Sequence, residues 1–479
     1  MRRVSPWATG GHDSARGPKV GGARSTSGPP GRFVHAVAIR IDKPSFEFTP
    51  VSSRVASRSG APIHALLVVI FATFVLGPYP ASLDAGGAHV QIWRVAFVVG
   101  VLVIVPATLR STSGVPAVPL DFLTLAAGWI GWGLLSFAWT PSLPSGIIEF
   151  IGLVTGATLT LVVATIGSMS ESHRRLLTQC WAVAVGFVAS ASLVEYFSGA
   201  HLPSPYASQL SQLGIQTRFL TGTFGNPNDV AAFLLVGLPF AIASIPTWPT
   251  RTLRRIATCV PGLAVLTIVL SNSRLCALGL VVGVITYILL GKNGRRTYRV
   301  RLAYLLLLVL PLALVASEPR LLAKFGNLSV EWSRGGSLQD RFLLLRHGWN
   351  ITYATGLRGL GIGAFEPSVQ SLPKQLTSSG DINPHNFAME LLSQYGIVVA
   401  FAFWLWIGRS AKRALRHRRE TIALGKGPFA TLLATMTIIG FTLFIPASSD
   451  PSSFIEQGTG WLFLGTLMAV VPNKPSASP

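Results

Sequence analysis

From Pro62 onward, long apolar runs alternate with short polar breaks. Most runs hold roughly 20 residues, the length that an α-helix needs to cross a hydrocarbon core about 30 Å thick. A segment inside a bilayer must satisfy its own backbone hydrogen bonds, so helices are the expected form. The pattern therefore predicts an all-α polytopic membrane protein.

Composition agrees with this class. Only 12% of the 479 residues are charged, against about 25% in soluble chains, and the mean hydropathy is +0.52. The chain has 39 Lys and Arg residues and 18 Asp and Glu residues, which gives a net charge of +21. These cations form short clusters between apolar runs, which is how membrane topology is encoded. No nucleic-acid partner is predicted.

The apolar runs predict about 12 transmembrane helices, at 62–79, 90–109, 120–139, 146–166, 176–197, 227–246, 256–272, 275–290, 302–317, 386–408, 428–446 and 456–472. Lys and Arg concentrate in the N-terminal tail and in alternate connections, whereas the connections around Ala85, Ser142 and Ser448 contain none. Because cytoplasmic segments carry the excess of Lys and Arg, both termini are predicted to be cytoplasmic.

The chain divides into four regions. Residues 1–60, rich in Gly, Ser, Pro and Arg, predict a disordered basic cytoplasmic tail. Residues 61–197 hold predicted transmembrane helices 1–5. Residues 198–410 form a core with two long outer loops, and residues 411–479 hold helices 11–12 and a tail.

The long outer loops are predicted at 198–226 and, between transmembrane helices 9 and 10, at 318–385. Loops longer than about 15 residues are usually functional or disordered. Within the second loop, the spacing of Leu, Phe and Trp over Leu338–Tyr353 predicts an amphipathic helix at the membrane interface. Chemistry is therefore expected on the outer face.

Charged residues within the predicted spans gather near their outer ends, namely Arg94, Glu149, Glu195, Arg274 and Glu390. The middle thirds of the spans are almost empty of charge. Proton- or sodium-coupled transporters usually need ionisable groups near the midplane. The distribution disfavours a transporter without excluding one.

Two interpretations stay open for each candidate site residue. The guanidinium of Arg274, or of Arg218 before the sixth span, either snorkels to lipid head groups or binds a lipid-borne phosphate through its planar fork. His385, at the start of the tenth span, is either a hydrogen-bonding residue of the fold or a general base, since an imidazole titrates near neutral pH. Asp381 lies one turn away as a candidate orienting partner.

Other motifs carry little chemistry. Gly359–Gly363 is superficially similar to a nucleotide-binding glycine loop, but no βαβ pattern flanks it, so we interpret it as a flexible turn. Cys180, Cys259 and Cys276 lie in apolar runs without CxxC spacing and are interpreted as buried apolar side chains. No metal and no cofactor are predicted.

Four segments carry a family resemblance. Gly222–Asn228 resembles the signature stretch of the O-antigen ligase/polymerase family of bacterial membrane glycosyltransferases. Ser273–Arg274, opening a Gly-containing span, is similar to its Ser-Arg element, and Arg341 with Gly359–Phe365 to its outer-loop helix and glycine turn. His385–Asn386, followed by a glycine, resembles its His-Asn motif.

This resemblance covers roughly residues 200–410, with two departures. Gln394 replaces an acidic residue often found before the glycine of the His-Asn motif, and Ala400 stands near an expected glycine. Both departures bear on the acceptor rather than on the reaction class.

The resemblance implies transfer of a glycan from a polyprenyl-diphosphate-linked donor to a glycan or glycolipid acceptor, without metal or ATP, at the outer face of the bacterial inner membrane. On that basis Arg218 and Arg274 are assigned to the diphosphate, His385 to the general base, and Arg341 to a phosphate or acceptor contact. Further residues are assigned to loop geometry or to sugar hydroxyls: Asn226, Asn228, Asp381 and Asn386.

Three functions remain in competition. An O-antigen ligase passes the glycan to a lipid A-core acceptor, whereas a repeat-unit polymerase of the same family passes it to another repeat unit. A flippase or exporter of lipid-linked oligosaccharides, which belongs to a different class, would move the substrate without forming a glycosidic bond.

Overall fold

The computed structural model describes part of the chain, residues 61–75, 82–85, 88–91, 98, 101–102, 120–201, 220–290, 337–371, 385–449 and 458–471. The predicted tail 1–60, most of the predicted span 90–109 and all of the predicted span 302–317 lie outside these residues. So do Arg218 and Asp381.

Helices make up most of the described chain. They are α1 (Ala61–Val75), α2 (Leu120–Ser136), α3 (Leu143–Met169), α4 (Glu171–Ser198), α5 (Pro227–Ser244), α6 (Arg251–Leu270), α7 (Arg274–Leu290), α8 (Ser337–Ala354), α9 (Phe365–Gln370), α10 (Phe387–Ala423), α11 (Pro428–Ala447) and α12 (Thr459–Val470). A short antiparallel hairpin follows α1, formed by β1 (Ser82–Ala85) and β2 (Ala88–Gln91). This hairpin is a small departure from an all-α chain.

Six of the described helices are long and apolar enough to cross a membrane, namely α3, α4, α5 with the 3-10 turn that extends it, α6, α10 and α11. Shorter apolar helices lie within α1, α2, α7 and α12. The predicted helical membrane fold is confirmed in this form, and the number of about 12 spans remains a prediction. The helix predicted over Leu338–Tyr353 is confirmed as α8; its place at an interface stays a prediction.

Helices α4 and α5 run antiparallel. Gly237 in α5 lies against Trp181 in α4 so closely that a Cβ on the glycine would meet the indole ring. Thr221, just before α5, contacts Glu195 near the end of α4. The end of α4 and the start of α5 therefore lie together.

Helices α7, α10 and α11 share the same end. Gly279, near the start of α7, lies against both Leu235 in the first half of α5 and Pro446 near the end of α11. The backbone N–H of Phe387, the first residue of α10, donates to Ser448 O just beyond α11 (2.9 Å). The starts of α5, α7 and α10 thus meet the end of α11, and we call this side of the helices the loop end.

At the opposite side, which we call the basic end, α7 and α10 finish together, because Arg418 Nη2 donates to Leu290 O (2.7 Å). Arg413 near the end of α10 forms an ion pair with Asp121 at the start of α2. Most Lys and Arg residues of the described chain lie on this side: Arg174, Arg175, Arg251, Arg254, Arg255, Arg409, Lys412, Arg413, Arg416, Arg418, Arg419 and Lys426.

Aromatic rings and small residues fill the space between the helices. Trp181 packs against Phe71 and Phe240, with ring centroids 5.3 and 5.8 Å apart. Gly156 in α3 faces the indole of Trp461 in α12 without room for a Cβ. A glycine at this contact lets two apolar helices approach closely, as membrane helices commonly do.

Candidate functional site

The stretch Gly222–Asn228 forms the turn that opens α5. Asn226 is the N-cap of this helix, and its side-chain oxygen accepts a hydrogen bond from the N–H of Asn228 (2.9 Å). Pro227 follows at the first helical position, where its missing N–H leaves no unsatisfied donor. The local sequence therefore fixes where the helix begins.

A buried carboxylate holds the beginning of this turn. Glu195, in the last turn of α4, accepts hydrogen bonds from the backbone N–H groups of Thr221 (2.7 Å) and Gly222 (2.6 Å) and from the Thr221 hydroxyl. His201 Nδ1 lies 2.8 Å from the same carboxylate. Glu195 thus binds both chain segments that border residues 202–219. The sequence marked it only as a charge near the outer end of a span.

The Ser-Arg element begins α7 with a strained turn. Asn272 has a φ of 60°, and Ser273 Oγ accepts from the N–H of Cys276 (3.3 Å), which caps the helix. Arg274, the first residue of α7, is half-buried. Because Gly279 lies against Pro446, the start of α7, where Arg274 lies, is near the end of α11.

His385 lies beside that same end of α11. It is buried and adopts a left-handed backbone conformation, with a φ of 47°. The following residue, Asn386, caps α10 by accepting from the N–H of Met389 (3.0 Å), and its amide lies 3.5 Å from Ser449 Oγ. Non-glycine residues at positive φ are strained and cluster at functional sites.

The glycine turn after α8 is packed against α10. Gly396 breaks the regular geometry of α10 with a φ of 78° and a ψ of −179°. The carbonyls of Ser393 and Gln394 accept instead from the N–H groups of Leu360 (2.8 Å) and Gly361 (3.0 Å). The interpretation of a flexible turn is therefore wrong, because these bonds satisfy backbone groups that the kink exposes.

The same turn is attached to the connection between α2 and α3. The N–H of Ile362 donates to Ser136 Oγ (3.0 Å), and Thr140 Oγ1 donates to Ile362 O (2.8 Å). The guanidinium of Arg358 lies 5.3 Å from the ring centre of Trp139. A Cβ on Gly363 would overlap the α3 backbone. These contacts fix α8 relative to α2, α3 and α10.

Helix α8 lies along the first half of α10. A Cβ on Gly348 would meet Met389 (2.7 Å), and further along Leu357 O accepts from the N–H of Ile397 (2.9 Å). This parallel register brings Arg341, two turns before Gly348, toward the start of α10. Arg341 is half-buried there.

Helix α8 is also held by α9. Leu344, Phe365 and Val369 form a small buried cluster. His347 Nε2 lies 3.3 Å from Ser368 Oγ, and its ring meets Phe365 edge to face. Burial lowers the pKa of His347 below its ordinary value, because desolvation disfavours the charged ring.

A second buried polar contact, missed at the sequence level, joins α3 to α10. The hydroxyl of Tyr395 donates to Glu149 Oε1 (2.8 Å), and both residues are buried. Trp129 in α2 packs edge-on against the tyrosine ring. Glu390, one turn earlier in α10, is also buried. The sequence showed Glu149 as a charge near the end of a predicted span. It did not indicate that Tyr395 would be its hydrogen-bond partner.

The loop end therefore holds the helix starts that bear Arg274, His385 and Asn386, and α8 directs Arg341 toward it. The Asn226 turn lies at the start of the neighbouring α5. Asn228 is half-buried in the first turn of that helix. Within the described ranges, no group of three or more His, Cys, Asp or Glu side chains is arranged to hold a metal ion. The geometry offers cations and an imidazole at one end of an apolar helix assembly.

Fold and site together define a helical membrane protein with a polar site at the ends of its helices. Comparison with known proteins shows what this chain is similar to. Residues 260–404 match the O-antigen ligase family. The chain is also similar to the teichuronic acid biosynthesis protein TuaE of Bacillus subtilis (strain 168), at 21% identity over 364 residues, or 73% of this chain and 71% of that protein.

These similarities support the assignment to the O-antigen ligase/polymerase family and confirm the resemblance inferred from sequence motifs. The matched stretch includes Arg274, Arg341, the glycine turn and the His385–Asn386 pair. It begins after Gly222–Asn228, so that turn is supported by its own sequence and structure rather than by the family match.

Proposed function

We propose that this protein is a membrane glycosyltransferase that moves a glycan from polyprenyl diphosphate to an acceptor sugar. The observation that supports the proposal is the meeting of helix ends beside the end of α11. The segments that bear Arg274 and His385 both reach this end, and the register of α8 directs Arg341 toward the start of α10. The family assignment supports the same reaction class.

The chemistry requires two kinds of group. The acceptor hydroxyl oxygen attacks the anomeric carbon while the bond from that carbon to the diphosphate oxygen breaks. The hydroxyl proton passes to His385, and negative charge accumulates on the departing diphosphate. Arg274 and Arg218 stabilise that charge, since preorganised cations at a water-poor site lower such a barrier by several kcal/mol.

The remaining assigned residues shape the site. Arg341 contacts a phosphate or the acceptor. Asn226, Asn228, Asp381 and Asn386 hold loops or contact sugar hydroxyls, and the helix caps made by Asn226 and Asn386 favour loop geometry for these two. The mechanism needs neither metal nor cofactor, because the diphosphate is already an activated leaving group.

The distribution of charge supports an active site outside the cytoplasm. The Lys and Arg residues of the basic end mark the cytoplasmic face by the positive-inside rule. The loop end then faces outward, and the protein lies in the inner membrane with both termini cytoplasmic. Substituted-cysteine labelling from outside intact cells tests this directly, at Tyr353 for the loop end and at Leu424 for the basic end.

Reconstitution tests the reaction itself. Purified protein in liposomes, supplied with lipid-linked glycan and acceptor, should form a glycosidic bond and release polyprenyl diphosphate, with and without EDTA. Movement of the donor across the bilayer without a new bond would replace the transferase by a flippase. Inactivation by EDTA, reversed by a divalent metal, would overturn the metal-free mechanism.

A polymerase is the second candidate, because TuaE is named for teichuronic acid biosynthesis. Gels of surface glycans from a deletion strain separate the two candidates. Long chains that remain on the lipid carrier indicate a ligase. Loss of all chains longer than one repeat indicates a polymerase.

A further inference from the structure

One face of α8 is buried against the protein. Leu344 and Thr352 are buried, and a Cβ on Gly348, which lies between them, would meet Met389 of α10. These positions are four residues apart in the chain, so they share one side of a helix with 3.6 residues per turn. Leu344, one of the residues whose spacing predicted an interfacial helix, therefore packs inside the protein.

The opposite face of α8 is aromatic and exposed. Phe342, Trp349 and Tyr353 are 52%, 56% and 77% exposed. By helical spacing these three side chains leave the helix within about 40° of one another. Arg346 is exposed on the same side. We call these four residues the aromatic face. A contiguous exposed apolar surface of this kind marks a contact with a partner or with a membrane.

The aromatic face leads into an exposed surface of α10. The N–H of Gly356 donates to Tyr353 O (3.0 Å), and the O atom of the next residue, Leu357, accepts from the N–H of Ile397 (2.9 Å). Ile397 opens the regular half of α10, beyond the kink at Gly396. Helix α10 is one of those long and apolar enough to cross a membrane. The end of α8 is therefore bonded to the beginning of a membrane-spanning segment.

Beyond this junction the exposed side chains of α10 are apolar over about two turns. They are Ile397, Val398, Phe401 and Leu405, and they recur at the spacing of one helical face. An exposed apolar face on a helix of membrane-spanning length is the face that contacts lipid chains, and we call these four residues the lipid-facing surface. Leu357 is exposed as well. Exposed apolar side chains thus continue from the aromatic face through Leu357 onto the lipid-facing surface.

The residue types around the aromatic face are those of a membrane boundary. Trp and Tyr are enriched where hydrocarbon meets head groups, because their rings are apolar and their N–H or O–H groups form hydrogen bonds. Arg346 and Arg358 are exposed beside them, and Arg358 lies over the ring of Trp139 beyond the end of α2 (5.3 Å). Arginines at such a boundary cover apolar surface with their stems and reach lipid phosphates with their guanidinium groups. A lipid surface accounts for these residue types and for the continuity with α10, whereas a soluble partner accounts for neither.

We propose that the aromatic face docks α8 onto the surface of the bilayer at the loop end. Phe342 and Trp349 insert among the head groups and upper acyl chains, the Tyr353 hydroxyl stays in the hydrated head-group region, and Arg346 contacts lipid phosphates. Because the buried face attaches α8 to α10, docking holds this part of the loop end at the level of the head groups. The inference concerns only where α8 lies and does not depend on the proposed glycan transfer.

Spin labelling of the full-length protein in liposomes of phosphatidylglycerol and phosphatidylethanolamine tests the docking. Each variant carries one label at an introduced cysteine, in a background with Cys259→Ser because Cys259 is exposed. Oxygen concentrates in hydrocarbon and a nickel chelate stays in water, so the ratio of their collision rates with the label reports depth. The ratio for Trp349→Cys should approach that of Phe401→Cys on the lipid-facing surface.

Two further positions serve as matched controls. Asn350→Cys replaces the exposed neighbour of Trp349, whose side chain points about 100° away around the helix, and its ratio should be clearly lower. Lys426→Cys, in the exposed connection from α10 to α11, gives the value for water. These controls separate insertion of one face from mere proximity of α8 to the bilayer.

Several results would overturn the proposal. A ratio at Trp349 equal to that at Lys426 would place the aromatic face in water, and protection of that label from the nickel chelate by an added oligosaccharide would make it a sugar-binding surface instead. Equal ratios at Trp349 and Asn350 would mean that no particular face is inserted. Should Trp349→Cys elute as an aggregate on gel filtration, Tyr353→Cys decides the question, and a ratio equal to that at Lys426 there would also overturn the docking.

Discussion

The two ends of the helices both carry arginines, but they are organised in opposite ways. At the basic end the cations lie mainly on regular, exposed helical turns. At the loop end they lie beside buried polar side chains and strained backbone. Among the described residues, the non-glycine residues with positive φ are Asn272, Leu357 and His385, and all three lie at the loop end. Charge alone therefore does not mark the site.

The loop end is distinguished by structural features that cost folding free energy. Buried polar groups and left-handed backbone each destabilise a fold unless the surroundings hold them in place. Here Glu195, Tyr395 and the glycine turn supply the hydrogen bonds that hold this end. The basic end consists mainly of exposed charged side chains on regular helices, which need little geometric precision.

When matching residues at the two ends are substituted, we expect the largest difference in transfer rate for histidine. His385→Ala should lower the rate of glycan transfer by about 10²–10⁴, the usual contribution of a general base. His64→Ala, at the start of α1 on the other side, should leave the rate unchanged. Rates are compared in liposomes at equal protein levels. A near-normal rate for His385→Ala would remove His385 from the mechanism.

Arginine gives the next largest contrast. Arg274→Lys should be nearly as damaging as Arg274→Ala, with a loss of about 10²–10³ in rate, because both variants lose the planar fork that binds two phosphate oxygens. Arg255→Lys at the basic end should be silent. Full activity of Arg274→Lys would show that a single positive charge suffices and would contradict bidentate binding.

Two glycines of α10 should respond differently to substitution by alanine. Gly396→Ala should destabilise the protein by more than about 1–3 kcal/mol. Its φ of 78° with a ψ of −179° is a conformation open essentially to glycine alone, and the new Cβ would also overlap the backbone of Arg358. Gly408→Ala, in the regular half near the basic end, meets nothing and should stabilise by about 0.5–1 kcal/mol. Thermal unfolding in detergent measures both. Equal shifts would argue against the kink.

The smallest contrast concerns glutamate. Glu195→Gln should cost about 1–3 kcal/mol, since an amide cannot accept from all the donors that the buried carboxylate serves. Glu171→Gln breaks an exposed ion pair with Arg175 and should cost less than about 1 kcal/mol. Thermal unfolding again compares them. If the two variants were equally mild, Glu195 would not hold the Gly222 turn.

Sequence patterns predicted the parts of this protein whose signal is local. The apolar runs predicted the helices, and the Leu, Phe and Trp spacing predicted α8. The cap at Asn226 follows from an Asn-Pro pair before an apolar run. The packing of single glycines has no such local signal: Gly156 packs against Trp461, whereas a Cβ on Gly128 would meet nothing within 4 Å. The residue that a glycine contacts on another helix cannot be inferred from the sequence around that glycine.

The glycine turn shows the limit most clearly. Its sequence is compatible with mobility, and only the kink at Gly396 reveals that its N–H groups are needed elsewhere. Tyr395 and Glu149 are 246 residues apart in the sequence. No local motif around either residue predicts their hydrogen bond.

The amino-acid sequence by itself determined that this chain is a helical membrane protein and which of its segments are similar to O-antigen ligases. Both follow from the type and order of neighbouring residues, because the length and apolar composition of a segment indicate whether it can span a bilayer, and a motif is read from residues adjacent in the chain. Tertiary structure decided which helix ends meet, and so which segments with arginine or histidine reach the same end of the protein. That choice depends on packing between helices distant in sequence, whose contacts no local pattern encodes.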